Sequence, residues 1–80
     1  MRIRAKVQRV TGATRHWSGP SELPAPIEVE IENGDGGYYL FRLDASGACI
    51  ADTWHESLEQ AKAQAEFEYA VTEDHWRTPD

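Results

Sequence analysis

The side chains best suited to acid–base chemistry lie close together in the second half of the 80-residue chain: Asp52, His55, Glu56 and Glu59. Imidazole exchanges protons near neutral pH, and a neighbouring carboxylate can orient it or help to hold a metal. The hydroxyls of Thr53 and Ser57 are at hand, but their spacing matches no hydrolase motif. We therefore predict no catalytic residue. An enzyme that binds a small ligand or a metal at the Asp52–His55–Glu56 corner is the alternative.

Residues that commonly bind zinc are scattered along the sequence. Zinc sites usually draw on paired His or Cys ligands at close spacing, whereas His16, His55 and His75 lie far apart and Cys49 is alone. We predict no metal and no cofactor. A single cysteine forms no internal disulfide, which suits a reducing cytoplasm, and we expect Cys49 to be a small buried hydrophobic side chain.

Aromatic residues outside any regular apolar stripe offer a second kind of chemistry, namely contact with another protein. Trp17, Trp54 and Trp76 either cover the ends of a thin core or form an interface, where tryptophan is enriched. Phe67 points away from the apolar face of the helix that contains it, so it packs under the C-terminal tail or forms an exposed patch with Ala63 and Ala70. The candidate partner-binding residues are Trp17, Trp54, His55 and Phe67.

One helix must position these residues. No Gly or Pro occurs from Ser57 to Thr78, and residues that favour helices dominate up to Tyr69. We predict that Ser57 caps this helix in a capping box with Gln60 and that residues 53–56 form a turn leading into it. Its apolar face recurs at helical spacing: Leu58, Ala61, Ala65 and Tyr69.

Four segments predict strands: residues 2–10, ending or bulging near Arg9, and residues 27–32, 38–43 and 48–51. The first two alternate apolar and charged side chains. We expect them to pair antiparallel, with the basic residues Arg2, Arg4 and Lys6 facing the acidic residues Glu28, Glu30 and Glu32 on a water-exposed side. Residues 38–43 are apolar on both faces, which indicates a central strand.

Glycine and proline mark the connections. Residues 11–26 read as a loop that Trp17 and Leu23 could pin to the body, residues 33–37 as a hairpin turn, and residues 44–47 as a type I turn closed by Gly47. We expect residues 1–70 to form one domain and residues 71–80 a tail in which Trp76 folds back on the body.

The predicted fold is α+β: an antiparallel four-stranded sheet in the order β-β-β-β-α with the helix packed on one face. Apolar residues from all five elements should form its core: Ile3, Val7, Ile27, Val29, Ile31, Leu40, Ile50, Leu58, Ala61 and Ala65. So short a chain buries a modest fraction of its surface, and either a monomer or a homodimer is compatible with it.

The charge of the chain disfavours some partners. Its net charge is −6, and all fourteen acidic residues lie from Glu22 onward. An acidic surface repels phosphate backbones, which argues against nucleic-acid binding, and it favours a basic protein partner. No apolar run approaches the length of a membrane span, and no secretory signal is visible, so we expect a cytoplasmic protein without membrane contact.

The stretch G-A-C-I-A-D-T-W-H-E-S-L-E-Q-A-K-A-Q-A-E-F-E-Y resembles the ending of small uncharacterised bacterial proteins, which carry a strand, a D-T-W-H turn and an alanine-rich helix. The pattern A-D-T…S-L-E-Q-A-K within it is similar to HicB-type antitoxin domains. The DNA-binding segment that such antitoxins commonly carry has no room here. The resemblance implies a similar scaffold and a protein-binding role, and it carries over no functional residue.

The sequence therefore predicts a non-enzymatic protein-interaction module, bacterial and cytoplasmic. An antitoxin or immunity protein that masks a basic toxin is one concrete form of it.

Overall fold

The protein is an antiparallel sheet with one helix across one of its faces. The computed structural model describes residues 1–12, 17–18, 21–22 and 25–79, and at 17–18 and 21–22 it describes the backbone. Its elements are β1 Arg2–Lys6, β2 Trp17–Ser18, β3 Ser21–Glu22, β4 Glu28–Gly34, β5 Gly37–Leu43, β6 Cys49–His55 and α1 Leu58–Tyr69. The main sheet has the order β1-β4-β5-β6, and β2 pairs with β3 separately. The predicted α+β class and topology are confirmed.

Both predicted tight turns are present. Asp35 and Gly36 have φ of 52° and 78° and connect β4 to β5 as a two-residue turn, a geometry that Asp and Gly tolerate. Gly47, with φ of 86°, closes the turn before β6, and its N–H donates to the carbonyl of Asp44 at 3.0 Å. The Asp44 carboxylate accepts from Ser46 and from the backbone N–H of Ala48, which lowers its pKa.

The charge pairing between the first two long strands is also confirmed. Arg4 lies opposite Glu30, and the flanking register pairs Arg2 with Glu32 and Lys6 with Glu28. The Arg4 Nη2 atom is 2.6 Å from a Glu30 carboxylate oxygen. The prediction that Glu30 faces water is wrong, because the Arg4 side chain covers it and leaves it 7% exposed.

The first strand is shorter than predicted. β1 ends at Lys6 because the backbone then changes partner: the N–H groups of Gln8 and Arg9 both donate to the carbonyl of Tyr69 at the end of α1, at 3.1 and 3.0 Å. This carbonyl is one that the helix itself cannot satisfy. The N-terminal segment therefore ties the sheet to the C-terminal end of the helix.

The last strand is longer than predicted. Residues 53–55 were expected in a turn, but they continue β6, because Thr53 and His55 pair with Leu40 and Tyr38 of β5. Thr, Trp and His are compatible with a strand at these positions, and the seven-residue strand β5 is long enough to pair with them. The cap at Ser57 is confirmed, since its hydroxyl accepts from the N–H of Gln60 at 3.1 Å.

The core lies between the sheet and α1 and is formed mainly by the residues predicted for it. Ala61, Ala65 and Tyr69 of the helix are buried against Ala5, Val29, Ile31, Leu40 and Val71, with Ile3, Val7, Tyr38, Leu58 and Trp76 packed around them. Ile50 is half-buried. The prediction is wrong for Ile27, which is 50% exposed because it lies at the margin of the sheet, one residue before β4.

A buried ion pair lies beside this core. Arg42 of β5 is fully buried, and its Nη2 atom is 2.7 Å from a carboxylate oxygen of Glu68, which is 2% exposed. Arg42 also donates to the Leu40 carbonyl and to the Thr53 hydroxyl, so its donors have partners. Burial and Glu68 raise the pKa of the neighbouring Tyr69 to about 12.

The segment after the helix returns to the edge of the sheet. Val71 is buried, Trp76 packs on the core, and Arg77 forms a bridge with Arg4 through two backbone hydrogen bonds of 2.8 and 2.9 Å. The prediction that Trp76 folds back on the body is confirmed.

Candidate protein-binding surfaces

The Asp52–His55–Glu56 corner is divided between two faces of the sheet. Side chains alternate along a strand, so Thr53 and His55 of β6 lie on the helix side with their register partners Leu40 and Tyr38. Asp52, opposite Phe41, lies on the other side, and Glu56 follows the strand as an exposed residue. The structure does not bring these three side chains to a common point.

His55 instead contacts Thr53. The Thr53 Oγ1 atom is 2.8 Å from His55 Nε2 and accepts from Arg42 Nη1 at 3.0 Å. Because the guanidinium can only donate, the Thr53 hydroxyl has its own proton free to donate to Nε2 of a neutral imidazole. Burial lowers the pKa of His55, the positive charge of Arg42 lowers it further, and Glu68 acts in the opposite direction. This arrangement holds His55 neutral near pH 7 within a structural network.

Ligands for a metal do not converge in the described part of the chain, where no three His, Cys, Asp or Glu side chains form a group that could hold an ion. The prediction that Cys49 is buried is wrong. It is exposed because it begins β6 at the edge of the sheet, and its thiol donates to the carbonyl of Ala51 at 3.3 Å.

Phe67 lies on the outer side of α1. It is 56% exposed, and Ala63, one turn earlier, is exposed as well. Glu59 and Glu66 lie on the same side of the helix, and no cation lies within 4 Å of either carboxylate in the segments that the structure describes. The outer side of the helix thus presents an apolar ring between negative charges.

A shallow groove continues this surface towards the C-terminal segment. Ala63, Val71 and Trp76 supply apolar walls, and Glu59, Glu66 and Glu73 supply carboxylates, of which Glu73 accepts from Lys62 Nζ at 2.7 Å. We call this surface, together with Phe67, the helix–tail groove. It can take an apolar side chain and a neighbouring positive charge.

Trp54 lies on the opposite face of the sheet. Its ring rests on Gly37, where any side chain would collide with it, and its Nε1–H donates to the carbonyl of Gly34 at 3.2 Å. The ring remains 43% exposed. Tyr39 and Phe41 stack beside it in the neighbouring strand, with ring centroids 5.7 Å apart. The hairpin glycines therefore hold Trp54 flat on the face of the sheet opposite α1.

The four predicted partner-binding residues do not form a single patch among the described side chains. Trp54 lies on the face of the sheet opposite α1, His55 faces the helix side, and Phe67 lies outside the helix. The backbone of Trp17 belongs to β2, and its side chain and His16 lie outside the described residues. Sequence reasoning missed the groove that Trp76 and Glu73 form with Glu66 of the helix, because the return of the tail has no periodic signal.

Comparison of the chain with protein-family models, with curated protein sequences and with solved structures finds no match. The resemblance to HicB-type antitoxins and to small bacterial proteins therefore stays a prediction.

In the described residues, no helix combines the length and the apolar character needed to cross a membrane.

Proposed function

We propose that the chain is a non-enzymatic, bacterial and cytoplasmic protein-interaction domain that binds a basic partner through the helix–tail groove. An antitoxin or immunity protein that masks a basic toxin is the concrete form of this proposal. The observation that carries it is Phe67, a large apolar side chain that is 56% exposed on the side of α1 that also carries Glu59 and Glu66. The exposed thiol of the single cysteine, Cys49, suits a reducing compartment.

The apolar part of the groove supports binding energetically. Full burial of a phenylalanine contributes about 1.5 to 3 kcal/mol, and Phe67, which is 56% exposed, forgoes part of this contribution. Aromatic anchors of this kind dominate the binding energy of many interfaces. Trp76 and Ala63 supply apolar surface for the partner residue to contact beside the ring.

The charges favour a basic partner. Glu59 and Glu66 flank the apolar floor, and the only cation lining the described groove, Lys62, already pairs with Glu73. Opposite charge on a partner would accelerate encounter and set its orientation. The net charge of −6 extends this attraction over the whole molecule.

The test is affinity capture of the tagged protein from its native host at low salt, with partners identified by mass spectrometry. We expect one stoichiometric basic partner, which Phe67→Ser and the charge reversal Glu59→Lys with Glu66→Lys release. Ile27→Ser is the matched control, because Ile27 is 50% exposed but lies at the margin of the sheet. Retained capture by both groove variants, or an acidic partner, contradicts the proposal.

A further inference from the structure

The backbone groups of β6 point in directions that the register determines. Gly34 and Gly37 flank a two-residue turn and form a hydrogen-bonded pair. Such pairs alternate along an antiparallel ladder, so Tyr38, Leu40 and Arg42 bond towards β6 and meet His55, Thr53 and Ala51 there. The N–H and C=O groups of the intervening residues Asp52 and Trp54 therefore point away from the sheet, whereas the register shifts at Ile50, which has no partner in β5.

The same alternation is visible on the opposite strand. It directs the N–H and C=O of Arg4 outward from β1, and these two groups bond with Arg77 at 2.8 and 2.9 Å. At β6, in contrast, no backbone hydrogen bond reaches the outward groups from any described residue. None of the seven residues of β6 is buried. We call the outward groups of Asp52 and Trp54 the β6 edge.

The charge at this edge favours one type of occupant. Asp52 is exposed at the middle of β6, and no described cation lies within 4 Å of its carboxylate. Every glutamate that β4 presents to β1 has a basic residue directly opposite, as Glu30 has Arg4. A strand added at β6 with a cation opposite Asp52 would repeat this pairing.

A second copy of the chain fits the edge less well. Two β6 strands paired about Asp52 would place like charges opposite each other, which is destabilising. Pairing them one step to either side would set Asp52 against Ile50 or Trp54, and β6 contains no basic residue that could neutralise it. The Asp52 carboxylate therefore disfavours pairing of β6 with the β6 strand of a second copy.

We propose that the β6 edge receives an extended segment of a partner protein as a fifth strand of the main sheet, with an arginine or lysine opposite Asp52. Backbone hydrogen bonds to the β6 edge would hold the segment, and its side chains would alternate between the Trp54 face and the helix side. This inference rests on the proposed partner-binding function but uses a surface remote from the helix–tail groove. The two proposals can fail separately, because their tests share no altered residue.

The probe is a capped eight-residue peptide of alternating arginine and threonine, titrated into the ¹⁵N-labelled protein at low salt. We expect the largest amide shifts at Asp52 and Trp54. Asp52→Pro removes an outward N–H without removing a bond to β5, and it should weaken binding about tenfold. Asp52→Asn keeps the N–H and should weaken binding about two- to fivefold.

Two controls separate strand addition from loss of fold. Ala45→Pro places proline at an exposed turn position that accepts it, so binding should be unchanged. A peptide N-methylated at the residues facing β6 keeps its charge but cannot donate to the edge, and it should bind at least about tenfold more weakly to the unaltered protein.

Three results overturn the proposal: equal binding of the N-methylated peptide, equal binding of a peptide with glutamate in place of arginine, or shifts confined to other surfaces. Sedimentation velocity adds a fourth. If the unaltered protein is a dimer that Asp52→Pro converts to a monomer, a second copy occupies the edge and the proposed occupant is wrong.

Discussion

The two edge strands of the main sheet, β1 and β6, differ in the hydrogen bonding of their outward backbone groups. At β1 the C-terminal segment covers the strand: Arg77 bonds to the backbone of Arg4, and its guanidinium is 2.8 Å from Glu28. At β6 the outward groups have no backbone partner in the described structure, and the strand has no buried residue. An unprotected edge is a liability that folded proteins usually manage. We infer that the chain uses its tail to close one edge and leaves the other for a partner.

Side-chain charges follow the same division. On β1 each basic residue has a glutamate opposite it, so the charges are satisfied within the fold. Among the residues that the structure describes, no cation pairs with the central Asp52 of β6 or with Glu59 and Glu66 of the helix. Charges paired internally stabilise this small domain, whereas unpaired carboxylates are available for recognition.

Deleting the C-terminal segment that covers β1 should have the largest effect on the stability of the fold. A chain ending at His75 loses the packing of Trp76 and two backbone hydrogen bonds to Arg4. We expect the free energy of unfolding to fall by about 3 kcal/mol, measured by urea denaturation. A chain ending at Arg77 keeps both contacts and should match the full chain within about 0.5 kcal/mol. Equal loss in both chains would mean that the cover does not stabilise β1.

Proline substitutions should distinguish the inward and outward groups of β6. Ala51→Pro removes an N–H directed at β5 and should cost about 1 to 3 kcal/mol of stability. Asp52→Pro removes an N–H directed outward and should cost less than about 1 kcal/mol. Thermal and urea denaturation of both variants measure the difference, and the reverse order would invalidate the assigned edge.

The ion pairs between β1 and β4 should contribute less to the stability of the fold. A double-mutant cycle on Arg4→Ala and Glu30→Ala should give a coupling energy of about 0.5 to 1 kcal/mol. The matched cycle on Asp52→Ala and Arg2→Ala joins residues of opposite edge strands and should give no coupling within error. Additive effects at Arg4 and Glu30 would show that their contact does not stabilise the fold.

The smallest expected effect is the pH dependence that His55 confers. Its pKa in the fold lies below the ordinary value of 6.5, so between these two values the unfolded chain binds more protons. Stability should therefore be complete above pH 6.5 and decline as the pH falls through this window. His55→Gln should remove that slope. An unchanged slope in urea denaturation between pH 7.5 and 5.5 would contradict this assignment.

Local patterns were sufficient to predict much of the fold. Alternation in β4, the N-G-D-G-G turn and the cap at Ser57 are short-range signals, and each predicted element is present. The facing charges of β1 and β4 also predicted their antiparallel pairing, whereas the register that sets Arg4 opposite Glu30 comes from the structure.

Features that depend on distant contacts were missed. The buried ion pair of Arg42 was not predicted, because its partner Glu68 lies 26 positions away in the sequence. The sequence predicted a turn at residues 53–56, but residues 53–55 pair with the seven-residue strand β5 and extend β6 instead. Cys49 was misplaced for a related reason, since a sequence does not show which strand becomes an edge.

The candidate site was only partly predictable. Phe67 was singled out from helical periodicity, and its exposure agrees with an exposed patch, one of the two predicted alternatives, and not with packing under the C-terminal tail. Its neighbours across the helix–tail groove come from the returning tail, which has no repeat that would reveal its path. The role of β6 as an open edge follows from strand order, which composition does not determine.

Amide hydrogen exchange of the unaltered protein, with and without the arginine–threonine peptide, tests the contrast between the edges most directly. Without peptide, the amide of Arg4 should exchange slowly because it donates to Arg77, and the amides of Asp52 and Trp54 should exchange rapidly. With saturating peptide, Asp52 and Trp54 should become protected and Arg4 should not change. Protection of Asp52 in the free protein, or none gained with peptide, would contradict an open edge that accepts a partner strand.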